Sequence, residues 1–552
     1  ILLLAMSSFG IFVLVLSGIL VVNLLTAMMA SQVRQIGVMK AIGATRWQLA
    51  WIYFGQALFL GVAAVIVSIP LGIIGSRALC RYMAFFLNFD INSFSVPLWV
   101  YLLVAVVGIA APVIAAAYPV WNGTRVPVRV ALSDFGLSQT TFGASRFDRA
   151  LARIGGTFSL VVLAIRNSFR RRARLVLTLL TLAAGGLFFL AALNVRASMV
   201  NTLDHLFAGR KFDLTISLAN PSELSKIEKA LSNTPGVTRA EGWFATEASV
   251  VGESAASSAD SHAGGRHGGG SDVNRFNVFA LPVDSQLLDF EIIEGRKLQP
   301  GDTDAIVINN SLAAREPKLR VGETVVLRMG PTETTWRVVG LAREAFSSSV
   351  AYVPLNFIQE RHPGLVNNLR ISLADASPDA IATFKANLDR NLEQQGVRAR
   401  GSSTKAESRF GFDQHMLMIY VFLIVTSAII GGVGGLGLMT TMSLSILERR
   451  REMGVMRALG ATPKIVWLMI VAEGIVIGVL SWTIAALLAW PISKALGNLL
   501  VRVMFRSGLD FTFEPLGLLI WLLVSISLSA AASFLPAWKA SRVTVREALA
   551  YE

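Results

Sequence analysis

Seven long apolar stretches dominate the hydrophobic pattern of the chain. Each holds roughly the 20 mostly apolar residues that an α-helix needs to cross a hydrocarbon core of about 30 Å. They cover residues 5–29, 48–76, 98–120, 175–195, 416–445, 465–490 and 515–538. A buried globular helix could imitate one such stretch, but not seven of them. The pattern therefore predicts an α-helical protein that crosses a membrane several times.

A short motif occurs twice between these stretches. "QIGVMKAIGAT" begins at Gln35, and "EMGVMRALGAT" begins at Glu452, 417 positions later, with seven of the eleven residues identical. The same offset relates further pairs downstream: Gly61 and Gly478, Pro119 and Pro536, Trp121 and Trp538, Arg125 and Arg542. An offset that stays constant over about 100 residues indicates a duplicated unit.

Basic residues collect on one side of the predicted spans. The segment 121–174 holds ten Lys and Arg against two acids, and the loop around the first motif has no acid. Residues 197–412 instead hold 23 basic and 25 acidic residues. By the positive-inside rule, both motifs face the cytoplasm and the near-neutral segment lies outside. The two three-span units are therefore parallel, and this orientation explains the net charge of +14 without any nucleic acid.

A further span precedes the outside segment that leads into the second unit. If the first unit were built in the same way, an earlier span and an earlier outside domain would come before residue 1. The chain begins with Ile, and residues 1–33 carry no charge. We therefore expect that such an upstream segment is missing from this sequence.

The outside segment alternates between strand and helix patterns. "KFDLTISL", from Lys211, has the alternation of a strand, and "SPDAIATFKANLDRNLEQQG", from Ser377, is typical of a helix. The small and polar residues at 256–272 are typical of a flexible loop. The pattern predicts a mixed α/β domain.

The repeated motif has two interpretations. Its apolar residues, among them Met453, Met456 and Leu459, stand between basic residues at spacings compatible with a helix. It could be a basic turn that merely joins two spans, or a docking helix for a cytoplasmic partner. In the second case, two copies would provide two docking sites for a dimeric partner.

The second copy and its surroundings carry a family resemblance. "EMGVMRALGAT", followed by Glu473 and Gly478 in the next span and by "PAWKASRVTVREAL" from Pro536, resembles the permease domain of the FtsX/MacB family of ABC transporters. "LAIRNSFRRRARLVLTLLTL", from Leu163, resembles the start of such a permease. The resemblance implies four spans per unit, a MacB-like outside domain between the first and second spans, and a loop after the second span that docks on an ATPase.

Carried onto this sequence, the resemblance places docking in two loops. The expected docking residues are Arg34, Gly37, Val38, Met39, Lys40 and Gly43 in the first loop, and Glu448, Arg451, Glu452, Gly454, Val455, Met456, Arg457 and Gly460 in the second. It implies a cytoplasmic ABC ATPase in two copies that carries ATP and Mg, with no catalytic residue, cofactor or metal on this chain. Membrane lipid and an extracytoplasmic substrate or adaptor protein are further implied partners, in a bacterial plasma (inner) membrane.

The first copy departs from the second at its acidic positions. Ser31, Gln35 and Gln56 stand where the second copy has glutamate, at positions 448, 452 and 473. We therefore expect that the two loops do not bind or respond identically.

Several other patterns favour no chemistry of their own. "GVGGLG" (Gly432–Gly437) satisfies a dinucleotide-binding pattern, but it lies inside a predicted span, where small residues favour close helix packing. The phosphate-binding pattern G-x-x-x-x-G-K-[ST] does not occur, so the ATPase is expected on another polypeptide. His262 and His267 stand between glycines, as in a solvated loop rather than a metal site.

Glu473 is an acid within a predicted span, and such acids are often functional. It lies near the cytoplasmic end, where we expect it to reach water or Arg457. A structural or docking role is favoured over a proton relay.

The sequence thus predicts an α-helical polytopic membrane protein with parallel duplicated three- or four-helix units and a mixed α/β MacB-like extracytoplasmic domain. The predicted divisions are a first unit at 1–132, a basic cytoplasmic linker at 133–174, a transmembrane helix at 175–196, the extracytoplasmic domain at 197–413 and a second unit at 414–552.

The leading hypothesis is a permease that couples ATP hydrolysis to movement of extracytoplasmic domains. These would act on a lipoprotein, a lipid, a peptide or a hydrophobic drug. The alternatives are an FtsX-like signalling permease that recruits or activates a cell-wall hydrolase, and a secondary transporter driven by an ion gradient.

Overall fold

The computed structural model describes residues 2–87, 90–129, 172–251, 275–344, 347–505 and 509–542. Its helices are α1 (Leu2–Ser31), α2 (Val33–Ala41), α3 (Arg46–Leu87), α4 (Leu98–Gly123), α5 (Arg172–Ala208), α6 (Leu224–Ser232), α7 (Asn310–Arg315), α8 (Leu355–Arg361), α9 (Pro378–Gln394), α10 (Lys405–Glu448), α11 (Arg450–Ala458), α12 (Pro463–Phe505) and α13 (Pro515–Ser541). Its strands are β1 (Leu214–Glu223), β2 (Val237–Val250), β3 (Phe276–Leu281), β4 (Glu291–Gly295), β5 (Ala305–Asn309), β6 (Thr324–Met329), β7 (Thr332–Arg343), β8 (Val350–Pro354), β9 (Leu365–Leu373) and β10 (Ala399–Thr404).

Six helices within these residues are long and apolar enough to cross a membrane: α3, α4, α5, α10, α12 and α13. The first predicted span is also helical, as α1, and contains a shorter apolar part, Val13–Thr26. Nearly all of the predicted linker at 133–174, and all of the predicted loop at 256–272, lie outside the described residues. Long apolar helices together with a mixed sheet domain confirm the predicted fold class.

The duplication is visible in the helix boundaries. α2 and α11 begin and end 417 residues apart, α3 and α12 begin 417 residues apart, and so do α4 and α13. The apolar core repeats as well. Ile36 and Leu49 are buried between the helices of the first unit, and Met453 and Val466 are buried at the same places in the second.

Each unit brings its second and third spans close together at a glycine. A Cβ atom at Gly61 would lie 3.2 Å from the Cα of Ile109 in α4, and one at Gly478 would lie 3.1 Å from the carbonyl oxygen of Ser525 in α13. Lipid tails are as apolar as the side chains, so tight packing at small residues is a main source of helix association in a membrane.

α5 packs along α10 through small and hydroxyl residues. The hydroxyls of Thr178 and Thr441 are 3.0 Å apart, and the Ser427 hydroxyl donates to the carbonyl of Gly185 at 3.0 Å. A Cβ atom at Gly434 would lie 3.1 Å from the Cα of Leu182. The "GVGGLG" segment therefore serves helix packing, as its position in a span indicated.

The strands form a ten-stranded sheet in the order β10-β1-β9-β2-β3-β8-β5-β7-β4, with β6 paired to β2 and β7. β1, β2, β9 and β10 pair antiparallel, and α6 and α9 lie in the connections β1–β2 and β9–β10. The strands β3 to β8 are an insertion between these two halves. The four antiparallel strands and their two helices thus form a split βαβ pair within the predicted mixed α/β domain.

The sheet domain has its own apolar interior. Ile216, Ile371 and Leu388 are buried between the antiparallel strands and α9, while Trp336 and Val338 are buried in the inserted strands. This domain belongs to a compact unit that comprises residues Val195–Leu417 and Lys494–Thr512. The other compact unit contains the helices of both three-span repeats.

The close contact at Gly434 can be tested against a neighbouring glycine. We expect Gly434→Ile to destabilise the purified protein by about 1–3 kcal/mol, because the side chain would force α5 away from α10. Gly432→Ile is the matched control, since a Cβ atom there meets nothing within 4 Å. Thermal unfolding in detergent measures both. Equal loss of stability in the two variants would contradict the close packing of α5 on α10.

Candidate functional site

The two copies of the motif fold into the same loop. In each, a nine-residue helix ends at a glycine in the left-handed region, Gly43 at φ 102° and Gly460 at φ 104°. The amide of Gly43 donates to the carbonyl of Lys40, and the amide of Gly460 donates to that of Arg457. A left-handed residue that ends a helix favours glycine because it has no Cβ atom to clash. The spacing that the two copies share is therefore a helix with a fixed exit turn.

One face of each short helix is buried against its own unit. Ile36 and Gly37 are buried in the first loop, and Met453 and Gly454 are buried in the second. Two further expected docking residues, Met39 and Met456, are partly buried against the apolar cores next to them. These side chains fix how each loop sits on its spans.

The opposite face is apolar and exposed. Val38 and Ile42 are 48% and 82% exposed, and their counterparts Val455 and Leu459 are 45% and 83% exposed. Ile42 and Leu459 were absent from the docking residues expected from sequence. Each is an apolar residue directly before the left-handed glycine, at the tip of the turn. That position in the sequence was the signal that could have identified them as exposed docking residues.

Lys40 and Arg457 point inward, to the end of the third span. The Lys40 ammonium donates to the carbonyls of Thr124 at 2.6 Å and Val126 at 2.7 Å, just beyond α4. Arg457 makes the equivalent contact with the carbonyl of Ser541, the last residue of α13, at 3.5 Å. A cation there satisfies carbonyls that lack helical partners and complements the helix dipole.

The environment of Lys40 reflects this position. Burial, and then the positive charge of Arg46, lower the pKa of Lys40 below its usual value. Its ammonium is thus engaged within the chain, and its expected docking role stays a prediction.

The other expected docking residues lie around the exposed face. Arg34 and Glu448 are exposed, and the exposed Glu452 pairs with Arg449 at 3.1 Å. Arg451 lies in α11. The two loops therefore differ in charge, and the second has acids at its rim.

Glu473 pairs with Arg449, at 3.2 Å, rather than with the expected Arg457. Arg449 stands at the junction of α10 and α11, whereas Arg457 donates to the carbonyl of Ser541 at the end of α13. The pair is largely buried, with the Glu473 side chain 5% and the Arg449 side chain 13% exposed. Its geometry fits the structural role favoured for Glu473.

The first unit has amides in the corresponding places. Gln32 stands for Arg449 and Gln56 stands for Glu473. Gln32 accepts a hydrogen bond from the Tyr53 hydroxyl at 2.9 Å. The side-chain oxygen of Gln56 is buried and has no hydrogen-bond partner within the described part of the chain. A buried ion pair in one unit is thus replaced by neutral groups in the other.

Groups of His, Cys, Asp and Glu that could hold a metal ion do not occur among the residues that the structure describes. His262 and His267 lie outside these residues.

Family models match most of the chain. The model described as FtsX-like permease C-terminal matches residues 7–128 and 416–545, one segment in each repeat. The model described as MacB-like periplasmic core domain matches residues 175–389.

Curated relatives match shorter segments. An uncharacterised ABC transporter permease protein of Mycobacterium tuberculosis is 32% identical over 155 residues, which are 27% of this chain and 17% of that protein. The macrolide export ATP-binding/permease protein MacB of Shigella sonnei is 31% identical over 303 residues, 51% of this chain and 41% of that protein. The ABC transporter permease YtrF of Bacillus subtilis is 29% identical over 175 residues, 30% of this chain and 39% of that protein. The chain thus spans less than half the length of each of these relatives.

Among solved structures, the periplasmic region of MacB from Actinobacillus actinomycetemcomitans aligns with 39% of this chain and 98% of its own, at 12% identity and a TM-score of 0.25.

The repeated units, the domain between them and the matching family models lead to one conclusion: this multi-pass membrane protein belongs to the FtsX/MacB family of ABC transporter permeases.

Proposed function

We propose that α2 and α11, with their glycine turns, are the two docking elements for a dimeric cytoplasmic ABC ATPase. The observation that carries this proposal is the pair of exposed apolar residues that each loop presents at the same positions, Val38 with Ile42 and Val455 with Leu459. Residues four apart on a helix share one face, so each pair forms one small apolar knob. ATP and Mg belong to the ATPase, which we propose is a separate polypeptide present in two copies.

The contacts of the two loops would also transmit a movement of the ATPase to the spans. Their inner faces are buried in the cores of the two units, and Lys40 and Arg457 hold the ends of α4 and α13. A loop that is held at its own helix and at the third span moves together with both. Closing of the ATPase dimer would then tilt the spans of both units, and this tilt would drive the extracytoplasmic domain.

The work of this engine is proposed to occur outside the membrane, on a lipoprotein, a lipid, a peptide or a hydrophobic drug. The relatives named MacB are macrolide exporters by their names, and a macrolide is an example of a hydrophobic drug. A signalling permease that activates a cell-wall hydrolase would use the same loops.

The two docking sites are proposed to respond differently. The second loop is fixed by the Arg449–Glu473 pair, whereas the first has Gln32 and Gln56 there. At the rim, Trp47 of the first loop is 65% exposed and corresponds to Lys464 in the second. The two subunits of a symmetric ATPase dimer would thus contact different surfaces. The surface of the first loop is the more apolar, and that of the second loop is the more charged.

The exposed apolar residues give the first test of docking. We expect Ile42→Gln and Leu459→Gln together to release an ABC ATPase that co-purifies with the tagged protein from native membranes, identified by mass spectrometry. Each substitution removes an apolar contact worth about 2 kcal/mol when buried in an interface. Ile293→Gln, an equally apolar exposed position in β4, is the control and should leave the complex intact. Retention of the ATPase by the double variant would contradict the proposal.

The ion pair at the second loop gives a test of its fixing role. Arg449→Gln alone should destabilise the protein by about 3 kcal/mol, because it leaves Glu473 as a buried carboxylate without its partner. Glu473→Gln should cost less, since Arg449 keeps Glu452. The double change to glutamine, which copies the first unit, should be less harmful than Arg449→Gln. Thermal unfolding and ATPase stimulation measure the cycle, and strictly additive losses would show that the pair does not act as a unit.

The site of work can be tested in liposomes that contain the permease and its ATPase. We expect ATP hydrolysis without accumulation of a fluorescent polar solute in the lumen, because the described spans hold few ionisable side chains that could line a path for it. Solute that crosses in proportion to the ATP used would contradict work outside the membrane. A stable complex with a cell-wall hydrolase, combined with ATP-dependent cell-wall cleavage, would instead favour the signalling function.

A further inference from the structure

A cavity of about 260 Å³ lies in the extracytoplasmic domain, where the end of α5 and the start of α10 meet the sheet. We name it the stem cavity. Its walls include Phe207 and Arg210 from α5 and the residues after it, Lys405 from α10, and Trp243 and Arg370 from the strands. All of these belong to one compact unit of the structure.

Arg370 is a buried cation in the wall of the stem cavity. It lies in β9 and is only 8% exposed. Its guanidinium carbon lies 4.9 Å from the ring centre of Trp243, 5.0 Å from that of Phe212 and 5.7 Å from that of Phe279. One amino group donates to the side-chain oxygen of Asn368, and the Nε atom is buried with no hydrogen-bond partner among the residues that the structure describes.

Arg370 forms no ion pair with a carboxylate among the described residues. The ionisable groups that act on it are Tyr352 and Arg210. Burial lowers the pKa of Arg370 to about 10, so it remains protonated at neutral pH. Leaving a buried cation without a partner is costly, since folding removes its hydration and supplies nothing equivalent.

The neighbouring charges increase the imbalance. Arg210 and Lys405 also line the stem cavity, and the Lys405 ammonium donates to the carbonyl of Arg210 at 2.7 Å. The described part of the lining also includes one acid, Glu344, so its three cations exceed its acids by two. Glu344 accepts hydrogen bonds from the Tyr352 hydroxyl at 2.7 Å and from the Asn309 amide at 3.2 Å.

Tyr352 cannot offset this charge. Burial, followed by the charge of Glu344, raises the pKa of Tyr352, so its hydroxyl stays neutral. The cavity therefore combines a cationic wall, which includes the Arg370 guanidinium, with an aromatic surface. Guanidinium groups bind carboxylate and phosphate oxygens through paired hydrogen bonds, and aromatic walls accept an apolar body.

We propose that the stem cavity binds an oxyanion, a carboxylate or a phosphate ester, that carries a small apolar or aromatic body. Arg370 would bind the oxyanion through the guanidinium group that it contributes to the cavity wall, with Arg210 and Lys405 adding positive charge. The volume limits the occupant to a small molecule or to the head of a larger amphiphile. This proposal uses no residue of the docking loops, so it holds or fails independently of ATPase binding.

The test uses the full-length protein in detergent, with benzoate, its neutral analogue benzamide, and phenyl phosphate as probes in isothermal titration. We expect benzoate or phenyl phosphate to bind and benzamide not to bind. The better of the two anions identifies the head group as a carboxylate or a phosphate ester. Binding should also change the fluorescence of Trp243, and Trp243→Phe should remove this signal.

Two variants connect binding to the cations. Arg370→Gln should lower the affinity for the anion about 10- to 100-fold, which corresponds to one hydrogen bond to a charged group. Arg370→Lys should lower the affinity less. Arg210→Gln, at a less buried position, should weaken anion binding by a smaller factor. This variant tests the proposal if the Arg370 variants fail to fold. Absence of anion binding in the wild type, equal binding of benzamide, or unchanged affinity in variants that fold would each overturn the proposal.

Discussion

The last carbonyls of the third span in each unit need hydrogen-bond donors, and the repeated motif supplies them. A helix leaves its final carbonyl groups without partners in its own backbone. Lys40 meets this need for α4 and Arg457 meets it for α13, each across 84 residues of chain. This single contact joins the loop after the second span to the end of the third. The rest of the proposed mechanism depends on this contact, because through it the loop and the spans would move together.

Duplication preserved this contact while its surroundings diverged. The helix boundaries, the left-handed glycine and the exposed apolar pair are the same in both copies. The charged pair beside the motif differs between the copies. The buried Arg449–Glu473 pair of the second unit corresponds to the neutral Gln32 and Gln56 of the first. Removing one partner of a buried ion pair leaves an uncompensated charge and is costly. We therefore propose that the second loop is held in place more firmly than the first, although both expose the same apolar pair.

Much of this architecture could be predicted from sequence, because it depends on period and composition. Apolar length identified the spans, the constant offset identified the repeat, and alternation identified the strands of the outside domain. The partners of individual charged side chains could not be predicted in this way. Glu473 is nearer to Arg457 than to Arg449 along the chain, and only the packing shows that Arg457 contacts the end of α13 while Arg449 pairs with Glu473. In the same way, the exposure of Ile42 and Leu459 depends on the direction of a turn that periodicity does not determine.

Arg370 lay beyond sequence reasoning for a related reason. In the chain it is one basic residue in a nearly neutral segment, at the alternation expected of a strand. Its significance arises only when the fold places the rings of Phe212, Trp243 and Phe279 around it, while no carboxylate among the described residues forms an ion pair with it. An apolar residue of similar volume would fill the same place at lower cost in stability. A costly charge next to an open cavity is typical of a site that is completed by a ligand, and the helices that line this cavity are the ones that continue as the spans α5 and α10. Whatever binds there contacts the same helices whose movement the docking loops are proposed to control.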